Sequence, residues 1–184
     1  MALLLPFNGV RPRVAEDAFV APGAQLIGDV AVESEASVWF GAVIRGDDPD
    51  NGIVVGPRSS VQDNCVIHVG AWQPTLIGAE CTIGHGAKFE SCTIGDGCIV
   101  GMNAVILQEA EIGAQSVVAA GAVVLEKSRI PPRSLVAGVP ASVRKTLEGS
   151  AAAWVAGGGK HYVELSRSYL AQGIGRPDAP PERV

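Results

Sequence analysis

Apolar residues return at every sixth position along most of this chain. Val14, Val20, Leu26, Val32, Val38 and Ile44 open the series, and Val55, Val61 and Ile67 resume it after a break. A second break precedes Ile77, Ile83 and Phe89. A one-residue slip then leads into Ile94, Val100, Ile106, Ile112, Val118, Val124, Ile130 and Val136. All twenty positions are apolar, and nineteen of them are Val, Ile or Leu. Four places after most of them stands a small residue, among them Ala18, Ala36, Ser59, Cys65, Cys81, Ala87, Cys98 and Ser116.

A period of six fits neither a long helix nor an alternating strand. It fits a parallel β-helix, in which each hexad supplies one short strand and one turn. The aliphatic residue then points into a narrow bore, and the small residue packs beside it. A low aromatic content, 5%, suits such a bore. Gly23, Gly78, Gly95, Gly113, Gly121 and Pro131 are expected to form the corners. With three hexads per triangular coil, the series predicts roughly six to seven coils. The fold class is therefore all-β, and its uncovered flanks favour lateral association.

The two breaks in the beat locate loops. One is RGDDPDNG, Arg45 to Gly52; the other is VGAWQPT, Val69 to Thr75, directly after His68 with Trp72 at its tip. Insertions in solenoids collect on binding faces. The sequence divides into a β-helix over 1–140, a C-terminal helical segment over 141–172 and a disordered tail over 173–184. Within the second part, SAAAWVAGGG leads to KHYVELSRSYLAQG, where Tyr162, Leu165, Tyr169 and Leu170 mark one helical face. That helix is expected to pack on the side of the solenoid.

Charge narrows the partners. Fourteen Lys plus Arg against nineteen Asp plus Glu leave a formal charge of −5, with no basic run, so neither nucleic acid nor an acidic membrane is an expected partner. The opening MALLLPFNGVRPR has its basic residues after a short apolar run, the reverse of a signal peptide, which makes a cytoplasmic location the default expectation. Cys65, Cys81, Cys92 and Cys98 form no CxxC pair. Three of them fall on the small-residue position of the repeat, which predicts buried packing residues rather than disulfides or a zinc knot.

The candidate chemistry lies between Val61 and Val105, which holds His68, His85 and, five residues after the second, Glu90. At VIRGD (Val43–Asp47), VQDNCVIH (Val61–His68), IGHGAKFESCTIGD (Ile83–Asp96) and VGMNAV (Val100–Val105) the chain resembles the gamma-class carbonic anhydrase family. The resemblance runs from FVAPGAQLIGDV to the terminal helix. It implies a left-handed parallel β-helix of hexapeptide repeats, a homotrimer, and one metal between each pair of subunits. It also implies zinc, with iron or cobalt as alternatives, held by three histidines. Two of these match His68 and His85. The third position is Glu90, in ESCTIGD where the family reads HGCTIGD. Two His and one carboxylate nevertheless form a known catalytic zinc set, and also the facial triad of non-haem Fe(II). The bland reading is that no metal binds and that Glu90 makes an ion pair at a subunit boundary.

Further positions match the family. Gln62 would orient water or bicarbonate, Tyr162 would line the pocket, and Arg45, Asp47 and Asp63 would set register between subunits, Arg45 pairing with Asp63 of a neighbour. His161, on the predicted helix, is a rival third ligand, and Asp48 is a candidate proton relay. Three function classes follow. The first is a metal-dependent lyase that hydrates CO2. The second is acyl-CoA chemistry, either transfer or thioester hydrolysis, with His68 or His85 as base. The third is a metal-free assembly subunit.

Overall fold

The computed structural model describes residues 1–175. Short parallel strands stack into three sheets, every third strand joining the same sheet. The first sheet runs through Leu3–Leu5, Gln25–Gly28, Val43–Gly46, Val66–His68, Lys88–Glu90, Val105–Ile106 and Val123–Val124. The second sheet has seven strands and the third eight, so the chain winds into about seven coils of a hexapeptide-repeat β-helix, as the beat predicts.

Strand register places the sixth-position residues above one another. Leu26, Ile44, Ile67, Phe89, Ile106 and Val124 form one row. Val38, Val61, Ile83, Val100, Val118 and Val136 form another. Eighteen of the twenty beat residues are buried; Val14 and Ile130, at the two ends of the second sheet's row, are partly buried because a terminal coil lacks a neighbour on one side. Each fully buried Val, Leu or Ile contributes about 1.5–3 kcal/mol relative to exposure, so the rows dominate stability.

The corners follow a beat of their own. Glu35, Gly41, Arg58, Asn64, Glu80 and Gly86 adopt left-handed backbone, and after the slip so do Ser91, Gly97, Asn103, Glu109, Gln115, Gly121, Lys127 and Arg133. Most are not glycine, and each costs about 1 kcal/mol. The neighbouring coil compensates: Asn64 N–H donates to Phe40 O, Glu80 N–H to Pro57 O and Asn103 N–H to His85 O, at 2.9–3.0 Å. Among the expected corner glycines, Gly23 and Gly121 do take positive φ. Gly95 and Gly113 serve differently, since a Cβ there would collide with the backbone at Ala114 and Pro132 of the next coil.

The small residue after these left-handed corners is buried except at Ser128, which is partly exposed in the last coils, and all four cysteines occupy this place. Cys92 is equivalent to the other three, following left-handed Ser91 as Cys98 follows Gly97. The slip hides this equivalence by placing Cys92 three residues after Phe89 rather than four. Cys65, Cys81 and Cys98 donate from Sγ to Gly84, Gly95 and Gly113 carbonyls, each at 3.2 Å, and Ser59 does the same to Gly78 O at 2.7 Å. Ala, Ser and Cys interchange here because only a short side chain fits, and a weak donor finds a ready acceptor.

Past the last coil the chain departs from expectation at 141–146. These residues form a strand, Ala141–Thr146, antiparallel to Ser134–Gly138, rather than part of a helical segment. The helix α1, Gly149–Ala171, follows and absorbs the glycine-rich SAAAWVAGGG stretch. Glycine lowers helix propensity, yet Gly159 lets α1 come close to the third-sheet corner: a Cβ there would sit 3.1 Å from Glu80 O. Tyr162, Leu165, Tyr169 and Leu170 pack on buried Phe19, Ala21 and Trp39, the face read from their spacing. Arg167 pairs with Glu35 and ties the helix to a corner. No helix among the described residues is long and apolar enough to cross a membrane. Of the tail expected over 173–184, residues 176–184 lie outside the described part.

Candidate metal centre

Alternation along a strand decides which side chains reach the surface. In the first sheet Ile44, Ile67 and Phe89 face the bore, so Arg45, His68 and Glu90, one residue later on paired strands, stack outward along one edge. Both loops that interrupt the repeat leave this sheet next to that edge, over 47–52 and 69–74.

His68 stands between two carboxylates, with Nε2 3.0 Å from Asp47 Oδ1 and Nδ1 3.2 Å from Glu90 Oε1. Asp47 also pairs with Arg45. Burial alone would raise the Asp47 pKa, but hydrogen bonds from Arg45 and His68 outweigh it and hold the carboxyl below its ordinary range. Two ligands of a tetrahedral zinc at 2.0–2.1 Å lie about 3.3 Å apart. The 3.2 Å between His68 Nδ1 and Glu90 Oε1 is compatible with such an edge, as it is with a direct hydrogen bond between the two side chains.

Glu90 is held in place by the short corner that follows it. Ser91 N–H donates to Thr75 Oγ1 at 2.7 Å, Thr75 Oγ1 donates to His68 O at 2.6 Å, and Gly70 N–H donates to Ser91 Oγ at 2.8 Å. Gly70 leaves room for the Trp72 ring and for Glu90, since a Cβ there would lie against the ring and 3.0 Å from Glu90 Oε1 and would push these side chains aside. From the next coil Gln108 Nε2 donates to Glu90 Oε2 at 3.3 Å.

His85 lies elsewhere. It sits at the corner that enters Lys88–Glu90, whereas Glu90 ends that strand, so the two occupy opposite edges of the first sheet. Asp63 Oδ2 faces His85 Nδ1 at 2.9 Å, and His85 N–H donates to the Oε1 of buried Gln62 at 3.2 Å. One protomer thus brings together two of the three expected ligands, and among the described residues no group of three or more His, Cys, Asp or Glu is placed to hold a metal.

The remaining sequence candidates separate. Asp48 Oδ1 accepts from Asp50 and Asn51 N–H groups at 3.1 and 2.9 Å, the hydrogen bonds of a turn rather than of a relay. Within the protomer Arg45 is engaged with Asp47, and Asp63 with His85. His161 is exposed on α1, its ring edge-on to Tyr162 at 5.3 Å. Tyr162 packs edge-on to Trp39 at 6.0 Å and shares a cavity wall with Gln62.

A crystal structure of a hexapeptide transferase family protein from Anaplasma phagocytophilum superposes with a TM-score of 0.86 at 36% identity, covering 91% of this chain and 98% of that one. Gamma carbonic anhydrase 2, mitochondrial, of Arabidopsis thaliana is 36% identical over 167 residues, or 88% of this chain. The chain belongs to the gamma-carbonic-anhydrase-like hexapeptide-repeat family. It matches the bacterial transferase hexapeptide (six repeats) model over residues 74–108 and 91–126. This gamma-carbonic-anhydrase-like chain spans 59% of the length of the Arabidopsis relative. It also superposes on a Bacillus cereus protein named for acetyltransferase activity, with a TM-score of 0.90 at 34% identity, covering 93% of this chain and 98% of that one.

Sequence reasoning missed Gln108, Gly70 and Ser91 as supports of Glu90. Gln108 is eighteen residues from Glu90 and carries no local signal; only the coil-to-coil register makes them neighbours. Ser91 had a visible signal in the slip itself, where a five-residue step replaces six.

Proposed function

We propose that this protein is a homotrimeric, metal-dependent lyase that hydrates CO2, with His68 and Glu90 of one subunit and His85 of a neighbour as ligands. The observation that carries the reading is the His68–Glu90 pair, set at ligand spacing on an edge opposite His85. Trimeric closure would bring one such edge to the other.

A zinc ion held there, or iron or cobalt, would supply Lewis-acid activation of water. The protein's own groups would do the rest. Asp63 on His85 Nδ1 fixes the tautomer that leaves Nε2 free, and Asp47 orients His68 in the same way. Gln62 is pinned by its Oε1, which leaves its amide N–H groups to hold a substrate or product oxygen. Gln108 takes up Glu90 Oε2 and leaves Oε1 toward His68.

Two outcomes follow. Light scattering should give a mass near three chains, and a monomer that binds one metal tightly would contradict the shared site. Gln108→Leu should keep the trimer but weaken metal retention about 10-fold, the usual size of an outer-shell loss; unchanged retention in competition with a chelator would remove Gln108 from the site. Stopped-flow CO2 hydration by zinc-loaded protein, and by anaerobic Fe(II)-loaded protein, tests the reaction. The likeness to the Bacillus cereus protein supports acyl-CoA chemistry as the second reading, and turnover of acetyl-CoA without CO2 hydration would favour it.

A further inference from the structure

The edge that carries His68 and Glu90 holds an open pocket of about 190 Å³. That is below the range usual for organic ligands, about 300–1,000 Å³, and is room for one or two inserted side chains. Its wall is His68, Lys88, Glu90 and apolar residues that include Leu107. We propose that this pocket receives Met102 of a second copy of the chain, so that a contact between Met102 and Leu107 closes one side of the shared site.

The coil register carries this pairing. Ile83 stands against Val100, which gives Met102 the place on its coil that His85 holds one coil earlier. Asn103 N–H donates to His85 O at 2.9 Å, which fixes the same step. On the opposite edge of the first sheet Phe89 stands against Ile106, so Leu107 succeeds Glu90 in the same way. His85 and Glu90 thus share one coil, and Met102 and Leu107 share the next. In a ring closed by rotation about an axis parallel to the solenoids, equivalent residues of all copies lie at one height. A ring that brings His85 of one copy to Glu90 of another therefore also brings Met102 to Leu107.

The chemistry of the two edges agrees with this step. Met102 is 55% exposed, and its unbranched thioether side chain suits an irregular apolar gap. On the other edge the apolar surface continues from Leu107 to Leu125, 44% exposed on the following coil. The two edges are different surfaces, so the contact runs head to tail, and three copies close a ring without a free end. The proposal rests on the shared-site reading for the choice of edges but requires no bound metal.

The test uses the full chain, chelator-treated, carrying Met102→Cys and Leu107→Cys together. All four native cysteines are buried, so the two new thiols are the accessible ones. Bismaleimidoethane, whose two double bonds each add one thiol, should join chains and give denatured bands of up to three chains. Each single variant should stay at one chain, because identical positions on different copies lie at different interfaces. In sedimentation at dilution, Met102→Asp should raise the concentration at which the trimer half-dissociates at least about 30-fold, since it buries an unpaired charge. Met102→Leu, of similar volume, should change it less than about 10-fold. Cross-linked trimer in protein that never holds metal would support this contact and overturn the metal-dependent reading alone. A trimer that binds metal yet gives no cross-link in the double variant would overturn the contact alone. Equal cross-linking in a single variant, equal assembly of folded Met102→Asp and wild type, or a monomeric wild type would each overturn it as well.

Discussion

Cys81→Arg should give no folded protein, whereas Cys81→Ala should express and melt close to the wild type. Cys81 is fully buried, with its Sγ 3.2 Å from Gly95 O in a space that admits only a short side chain. Arginine there would bury a charge with no partner, which costs several kcal/mol, a large part of the roughly 5–15 kcal/mol that holds a domain together. Alanine stands at equivalent corners, at Ala87 and Ala104, so the smaller change removes one weak hydrogen bond and leaves the packing intact. Soluble yield and thermal unfolding measure both variants. The thiols provide a third readout. Burial raises Cys65 and Cys98 to about 11 and Cys81 to about 12, so little of the reactive thiolate exists at neutral pH. Thiol reagents should label none of the three in the native state and all of them after unfolding. Fast native labelling would contradict the packing described above.

Glu90→Ala should lower metal affinity by more than about 100-fold, since even an outer-shell loss costs roughly 10–100-fold. His68 would keep Asp47 on one nitrogen and lose its facing partner on the other. Glu90→His should retain metal, because the residue projects from the same edge and the bore residue Phe89 is untouched. A neutral imidazole in place of a carboxylate leaves more positive charge on the metal, so the pH midpoint of CO2 hydration should move downward. A different pattern would mark a subunit that uses Glu90 for an ion pair. The wild type would then be metal-free and inactive, and Glu90→Ala would weaken the trimer instead. Equal metal content and activity in all three proteins would remove Glu90 from the site and leave His161 as the residue to examine.

The rows of the bore were legible in the sequence from the six-residue beat of aliphatic residues. Val30, Ile53, Val69 and Cys92 lie in the same core off that beat, beside the loops and the slip that interrupt it. Equally legible was the helical face of Tyr162, Leu165, Tyr169 and Leu170, whose spacing is local. The corners were not legible. Residues such as Glu35, Arg58 and Lys127 have no intrinsic preference for left-handed backbone, and they adopt it because the adjoining coil supplies the hydrogen bonds. Nor was the start of α1 legible, since Gly157 and Gly159 argue locally against a helix while close contact with the Glu80 corner argues for one. In the candidate site, His68 and Glu90 stood out by residue type and offset. Gln108 did not, because its partnership exists only between coils.

The central claim is a metal shared between subunits through a carboxylate ligand. Its most direct test is elemental analysis, coupled to light scattering, of protein purified without chelator from zinc- or iron-supplemented growth, iron cultures being kept anaerobic. Wild type and Glu90→Ala would be compared. The proposed site predicts a trimer with one metal ion per chain in the wild type, and a metal-depleted trimer in Glu90→Ala. A wild-type trimer without metal under every growth condition, or equal loading of the two proteins, would contradict it.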